Sequence, residues 1–321
     1  MSNHLELLRQ KIRGPVFSIV TPFHERDDAI DFAALERYIA YAYEAGARNF
    51  YVMGYNSRFS ELSWEEIKIL NTFVTKTVKC LGEDTVVIVA DPLHCSTAVS
   101  TEFCRHAEDV GADMISLIFR EKHYSDEQVF KHYQMCADSC DIGILIHEMP
   151  FISGHGGHTI NWPIPLLDRL ADIKNIIAIK EDAKDDEYSH QVIDTIKDRL
   201  SIVISGGGKR QWLQFADLGC QAWLNGIGVF EPKLAIQFWE AYKRGDESFQ
   251  QKIINEIEMP FFRKGVSVYG WHLMIRAALE LRGHFSRHER MPMLALTVEQ
   301  IESIQSWFEA LPINKVLEQV G

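Results

Sequence analysis

Eight short runs of β-branched and other apolar residues recur along the chain, and a longer segment with helical spacing follows each. They are VFSIV (16–20), NFYVMG (49–54), TVVIVAD (85–91), MISLIF (114–119), IGILIH (142–147), IIAIKE (176–181), SIVIS (201–205) and AWLNGIGV (222–229). Their apolar residues are consecutive rather than alternating, which suits strands covered on both faces in a parallel sheet. Eight such units in series predict an α/β fold, the (β/α)8 TIM barrel, with an open doubly wound sheet as the alternative. No GxGxxG follows the first run, which counts against the open sheet.

The helical segments carry their own boundary signals. Asp31 can cap FAALERYIAYAYEAG, which stops at Gly46. Ser63 with Glu66, and Ser125 with Gln128, have capping-box spacing, while EFCRHAEDVG closes on Gly111. Beyond residue 233 no strand pattern returns. KLAIQFWEAYKRGD would be the eighth barrel helix, and SFQQKIINEIEMPFF, VYGWHLMIRAALELRG and TVEQIESIQSWFEALP would follow as further helices. The expected organisation is a barrel over 1–245 and a C-terminal helical extension over 246–321 packed on it, with no Ser/Gly linker between.

Bulk properties exclude several function classes. A net charge of -12 argues against a nucleic-acid partner, because phosphate binding needs a basic surface. No apolar stretch approaches the roughly 20 residues of a membrane span, and the N-terminus lacks a signal-peptide core. A cytoplasmic location is expected. The six cysteines form no CxxC pair; Cys136 and Cys140 would share a helix face, either as a metal or redox pair or as small buried apolar residues.

In a parallel barrel, reactive groups gather where strands end. Those ends are Thr21, Tyr55 with Asn56, Asp91, Arg120, His147 with Glu148, Lys180 with Glu181, Ser205 to Gly208, and Asn225. Lys180 stands out, an amine carried straight off IIAI. It would either snorkel to the rim or pair with a carboxylate, or serve as a Schiff-base nucleophile. The second role needs the neutral amine, only about 0.1% of a lysine with pKa ~10.4 near neutral pH. Burial at a barrel mouth is one source of the required shift.

Several stretches together resemble the dihydrodipicolinate synthase and N-acetylneuraminate lyase family of class I aldolases. GPVFSIVTPF resembles its opening strand, IIAIKED its Ile-x-Gly-Ile-Lys strand, and SGGGK its Ser-Gly-x-Asp turn. GYNSRFSELSWEE stands where the family has Gly-Thr-Thr-Gly-Glu followed by Leu-Ser/Thr-x-Glu-Glu. NGIGVFEPKLAIQFWEAYKRGD and RMPMLALTVEQ are similar to its closing segments, so the likeness runs from about residue 14 to 310. The resemblance implies a barrel that assembles as a homo-oligomer, tetramer or dimer, and an imine between Lys180 and the keto carbon of pyruvate or another 2-oxo acid. It implies a substrate-binding set of Tyr55, Asn56, Ser57, Gly207 and Ile227, with no cofactor and no metal.

The departures from the family pattern are as informative. ILIHEMP lies where the family ends a strand in Tyr-Asn-Val-Pro, so His147 takes the place of a proton-transferring tyrosine. Imidazole can donate or accept a proton, with a reference pKa of ~6.5 against ~10 for a phenol. The Thr-Thr carboxylate turn is Tyr55-Asn56, the Pro-Tyr-Tyr after the fourth strand is absent, and the arginine for a second carboxylate is Ile152. These changes point away from dihydrodipicolinate synthesis itself, toward an aldolase or dehydratase acting on a 2-oxo acid. A non-catalytic 2-oxo acid binder is the alternative from another class.

Two features outside that scheme have readings of their own. SGGGK could expose backbone N–H groups and Lys209 to an anionic substrate tail, or be a flexible turn with a solvated lysine. His147, His155 and His158 with Glu148 could ligate zinc, which would make a metal-dependent aldolase without an imine.

Overall fold

The structure is a computed structural model and describes residues 3–119, 125–149, 151–152, 159–183, 185–206 and 208–320. Eight parallel strands close into a barrel: β1 Gly14–Ser18, β2 Asn49–Tyr51, β3 Val86–Ala90, β4 Met114–Leu117, β5 Gly143–Glu148, β6 Ile176–Glu181, β7 Ser201–Ile204 and β8 Ala222–Leu224. Each expected run supplies one strand, and β1 closes the cylinder by pairing with both β2 and β8. No helix among the described residues is long and apolar enough to cross a membrane.

Alternation divides the strand residues between two apolar layers. Val16, Tyr51, Ile88, Met114, Leu145, Ala178, Val203 and Ala222 pack inside the cylinder. Phe17, Phe50, Val87, Ile115, Ile146, Ile179, Ile202 and Trp223 pack outward into the larger core shared with the helices. The segment after the N-terminus, Asn3–Lys11, is a helix whose Leu5 and Leu8, with Ile12, join the inner layer. It stoppers the N-terminal end of the barrel, so the opposite end is left for chemistry.

The helix signals have physical counterparts. Asp31 accepts from Ala34 N–H and starts the helix Phe32–Glu44. Both capping boxes form, ahead of Trp64–Leu81 and Asp126–Ala137. Cys136 and Cys140 are buried, and all six cysteines are free thiols.

Three expectations need correction. The last strand stops at Leu224 rather than running to residue 229, and Gly226–Val229 is a 3-10 turn. SFQQKIINEIEMPFF is not a regular helix: Glu247–Ile253 passes into a π segment, Ile254–Glu258, and a second π segment spans Phe262–Val266. Pro260 lies between them and has no N–H to give to an α-helical ladder, so the wider turns absorb it. VYGWHLMIRAALELRG is broken at Gly270, whose φ of 79° and ψ of 160° only glycine adopts readily, and a new helix, Trp271–Leu281, begins there.

Candidate active site

Register brings the two ionisable strand ends together. β5 and β6 are paired so that His147 lies opposite Lys180 and Glu148 opposite Glu181. The period of two then sends Lys180 and His147 into the barrel mouth and the two glutamates outward. Lys180 is 1% exposed and His147 3%. Lys180 Nζ lies 2.9 Å from His147 Nε2 and donates to Asp182 Oδ2, also at 2.9 Å. Asp182 is two residues on, hence on the same inward face.

Above this layer is a cavity of about 290 Å³ lined by Lys180, Asp182, Tyr55, Asn56, Ser205 and His272, with apolar walls. Pairing with a carboxylate is also what a purely structural lysine would show. What separates Lys180 from that case is its place on the cavity lining, with an imidazole on its other flank. An amine that attacks a carbonyl must first release a proton, and Asp182 and His147 are the two acceptors at hydrogen-bond distance.

The carboxylate turn after β2 is wedged from several sides. Tyr55 faces the cavity, and its ring meets His147 edge-on at 6.1 Å. The Asn56 amide donates to Ser18 Oγ at 2.7 Å and accepts from Trp271 Nε1 at 3.1 Å, which fixes its orientation. Ser57 is fully buried; its hydroxyl donates to Ile19 O at 2.8 Å and its N–H to Met53 O at 2.8 Å. Ile227 is buried in the turn after β8, while its neighbour Gly226 lines the cavity. Gly207, Arg120, His155 and His158 lie outside the described residues, and the zinc reading with them. Among the described residues no group of three metal-ligating side chains converges.

Arg58 occupies a left-handed backbone position (φ 63°) and is buried. Its Nη2 donates to Glu289 Oε1 at 2.6 Å, and its Nη1 lies 3.2 Å from His272 Nδ1. Arg276 donates to the other oxygen of Glu289 at 3.0 Å. This network bolts the β2 turn to the helix Trp271–Leu281. Burial, then the Arg58 charge, pulls His272 down to about 4, so its imidazole is neutral near pH 7.

The lysine of the segment after β7 fits neither reading, while Gly206 and Gly208 do line the cavity. Lys209 is neither solvated nor aimed at the cavity: it is fully buried, with Nζ 3.0 Å from Glu258 Oε2, and its N–H donates to Glu258 Oε1 at 2.8 Å. Gly208 has φ +70°, and a Cβ there would stand 2.6 Å from Glu258 Oε1, so this close approach requires glycine. The outward strand-end acids are likewise absorbed by the scaffold. Asp91 accepts from Ser100 Oγ at 2.7 Å, and burial pushes it up to about 6. Glu181 accepts from Ser189 Oγ at 2.7 Å, and Glu148 from Trp162 N–H at 3.4 Å. Burial, then the Glu181 charge, pushes Glu148 up to about 8.

The Dihydrodipicolinate synthetase family matches residues 11–311. The chain belongs to this family. An uncharacterized DapA-like lyase of Pyrococcus abyssi is 27% identical over 249 residues, covering 75% of this chain and 78% of that protein. A 4-hydroxy-tetrahydrodipicolinate synthase of Chlorobaculum parvum is 26% identical over 313 residues, 97% of this chain and 99% of that one. Among solved structures, dihydrodipicolinate synthase from Aquifex aeolicus superposes with a TM-score of 0.80 at 19% identity, covering 94% and 99% of the two chains. YagE of E. coli K12, solved in complex with pyruvate, gives 0.79 at 20% identity, with 93% and 98% covered. At those identities the likeness of structure establishes the barrel alone.

Asp182 escaped the sequence reading, which named Lys180 with Glu181, although a period of two already places 182 rather than 181 beside the lysine. Phe262, Val266, Trp271 and His272 also line the cavity. They come from the C-terminal helices, and nothing local in the sequence marks them.

Proposed function

We propose that this chain is a class I lyase, an aldolase or dehydratase that joins Lys180 to the keto carbon of a 2-oxo acid as an imine. The observation that carries the reading is the buried Lys180 amine on the cavity lining, 2.9 Å from both an imidazole and a carboxylate. Lys180 gives a proton to Asp182 or His147 and adds to the C2 carbonyl carbon. The carbinolamine then loses its hydroxyl as water, with His147 as proton donor, which leaves the cationic imine. That cation draws electrons toward C2, so two routes lead to the enamine: C3–C4 cleavage, with C4 leaving as an aldehyde as its hydroxyl gives up a proton, or loss of a C3 proton. The first enamine is reprotonated at C3; the second expels a C4 hydroxyl, protonated as it leaves, as water, and hydrolysis of the imine returns the Lys180 amine. Asn56 offers its second amide hydrogen to the substrate carboxylate; Ser57, spent on Ile19 and Met53, shapes the turn. The pyruvate complex of YagE, a barrel of the same form, agrees with a 2-oxo acid as ligand. Assembly as a homo-oligomer, dimer or tetramer, belongs to the same proposal and is read by light scattering.

Borohydride reduction in the presence of pyruvate tests the reading. A covalent adduct is expected on the peptide that contains Lys180 and is expected to be absent from Lys180→Ala; unlabelled wild-type protein refutes the imine. His147→Phe should still reach the adduct, at a lower rate because His147 also assists loss of water from the carbinolamine, while turnover of a cleavable 2-oxo acid falls by roughly 10²–10⁴, the usual worth of a general acid–base. Unchanged turnover would remove His147 from the proton path.

A further inference from the structure

The upper part of the cavity is walled by Met53, Met149, Leu224, Phe262, Val266 and Trp271. Trp271 stacks on Phe262 with centroids 6.0 Å apart and planes 24° apart, and its Nε1 is held by Asn56. The indole is therefore clamped at one edge and one face, a stiff flat wall rather than a mobile side chain. Phe262 and Val266 reach the cavity from the second π segment.

Charge gives an independent observation. Among the described residues that line the cavity, Lys180 is the sole lysine or arginine, and imine formation fixes its charge at C2, beside the substrate's first carboxylate. The other buried cations among the described residues are committed elsewhere, Arg58 and Arg276 to Glu289 and Lys209 to Glu258. His272 is neutral at physiological pH, and Asp182 adds a negative group to the lining. Against this wall a second anionic group on a substrate would lose its hydration without gaining a counter-charge from any of the described lining residues. An apolar ring would meet methionine, aromatic and aliphatic surface, with the stacking geometry already set.

We infer that this site selects 2-oxo acids whose chain beyond the keto carbon ends in an uncharged aromatic ring rather than in a second anionic group. The inference rests on the lysine-imine reading and names the substrate class of that same cavity. Phe262 and Trp271 form the flat wall, and Met53, Met149, Leu224 and Val266 close the remaining sides.

The test uses borohydride trapping as a binding readout, so it does not depend on turnover. Intact-mass spectrometry gives the half-saturating concentration for imine trapping of 2-oxo-4-phenylbutanoate and of 2-oxoglutarate, with pyruvate as the short reference. The phenyl acid should half-saturate at a concentration at least about tenfold lower than 2-oxoglutarate, the lower end of what burying a ring contributes. Phe262→Ala should narrow that ratio, and Val266→Arg, which supplies the missing cation, should turn it toward 2-oxoglutarate. Wild-type protein that traps 2-oxoglutarate at an equal or lower concentration overturns the inference, as does trapping of pyruvate with neither longer acid. Failure to trap pyruvate itself would instead strike the imine reading, and this inference with it.

Discussion

Replacing Glu148 with glutamine should flatten the dependence of stability on pH. In the native barrel this carboxyl is fully buried, with the Glu181 carboxyl opposite it across the strand pair. Burial first, and that neighbour second, raise it from an ordinary 4.5 to about 8. In the unfolded chain it titrates near the ordinary value. Between those two values the folded protein holds a proton that the unfolded chain has released. Its contribution to stability is therefore full below about pH 4.5, falls as pH rises, and is lost above about 8. At about 1.4 kcal/mol per pKa unit, the whole interval corresponds to roughly 5 kcal/mol, of which about 3 kcal/mol falls between pH 5.5 and 8.5. Glutamine is uncharged at every pH and keeps an oxygen for the Trp162 N–H. Urea denaturation followed by tryptophan fluorescence, at about pH 5.5, 7 and 8.5, gives both curves. The wild type should lose about 3 kcal/mol more than Glu148→Gln across that range. Parallel curves would refute the account, because they would mean that Glu148 ionises in the folded barrel as readily as in water.

Asp182→Asn should slow borohydride trapping of pyruvate by roughly ten- to a hundredfold, since the amide can no longer take the amine's proton; trapping at the wild-type rate would confine Asp182 to a structural part. Glu289→Gln removes the single carboxylate shared by Arg58 and Arg276. Arg276 loses its counter-charge and Arg58 keeps only Glu61, at 3.9 Å, so urea denaturation should show about 3 kcal/mol or more of lost stability. Gly270→Ala places a Cβ where nothing lies within 4 Å, so its cost is backbone strain alone, about 1–2 kcal/mol by the same measurement.

The barrel was legible because its determinant is local and repeated. Eight consecutive-apolar runs, each followed by a capped helical segment, need no knowledge of distant contacts to be read as β/α units. Lys180 was legible for the same reason: an amine leaving IIAI breaks the pattern of its own strand. His147 followed from the strand before it, and the 2.9 Å contact between the two is the register made visible. Sequence reasoning faltered where the deciding partner lies far along the chain. Lys209 reads as a turn lysine until Glu258, 49 residues later, is placed against it. Trp271 is 215 residues from Asn56, and no periodicity connects them. The turns at Leu224 and Gly270 were overrun because apolar spacing continues through both, while the backbone at Gly226 and Gly270, with positive φ, does not.

Glu258, in the first π segment, and Glu289, in the loop after the helix Trp271–Leu281, reach back to Lys209 at the start of the helix after β7 and to Arg58 on the turn after β2. A chain trimmed after Gly245 would keep all eight strands and both reactive side chains, yet strand two sealed-in cations and strip the aromatic wall. Anyone seeking a minimal catalyst from this scaffold, or grafting its mouth onto another cylinder, must carry those helices along as part of the transplanted unit.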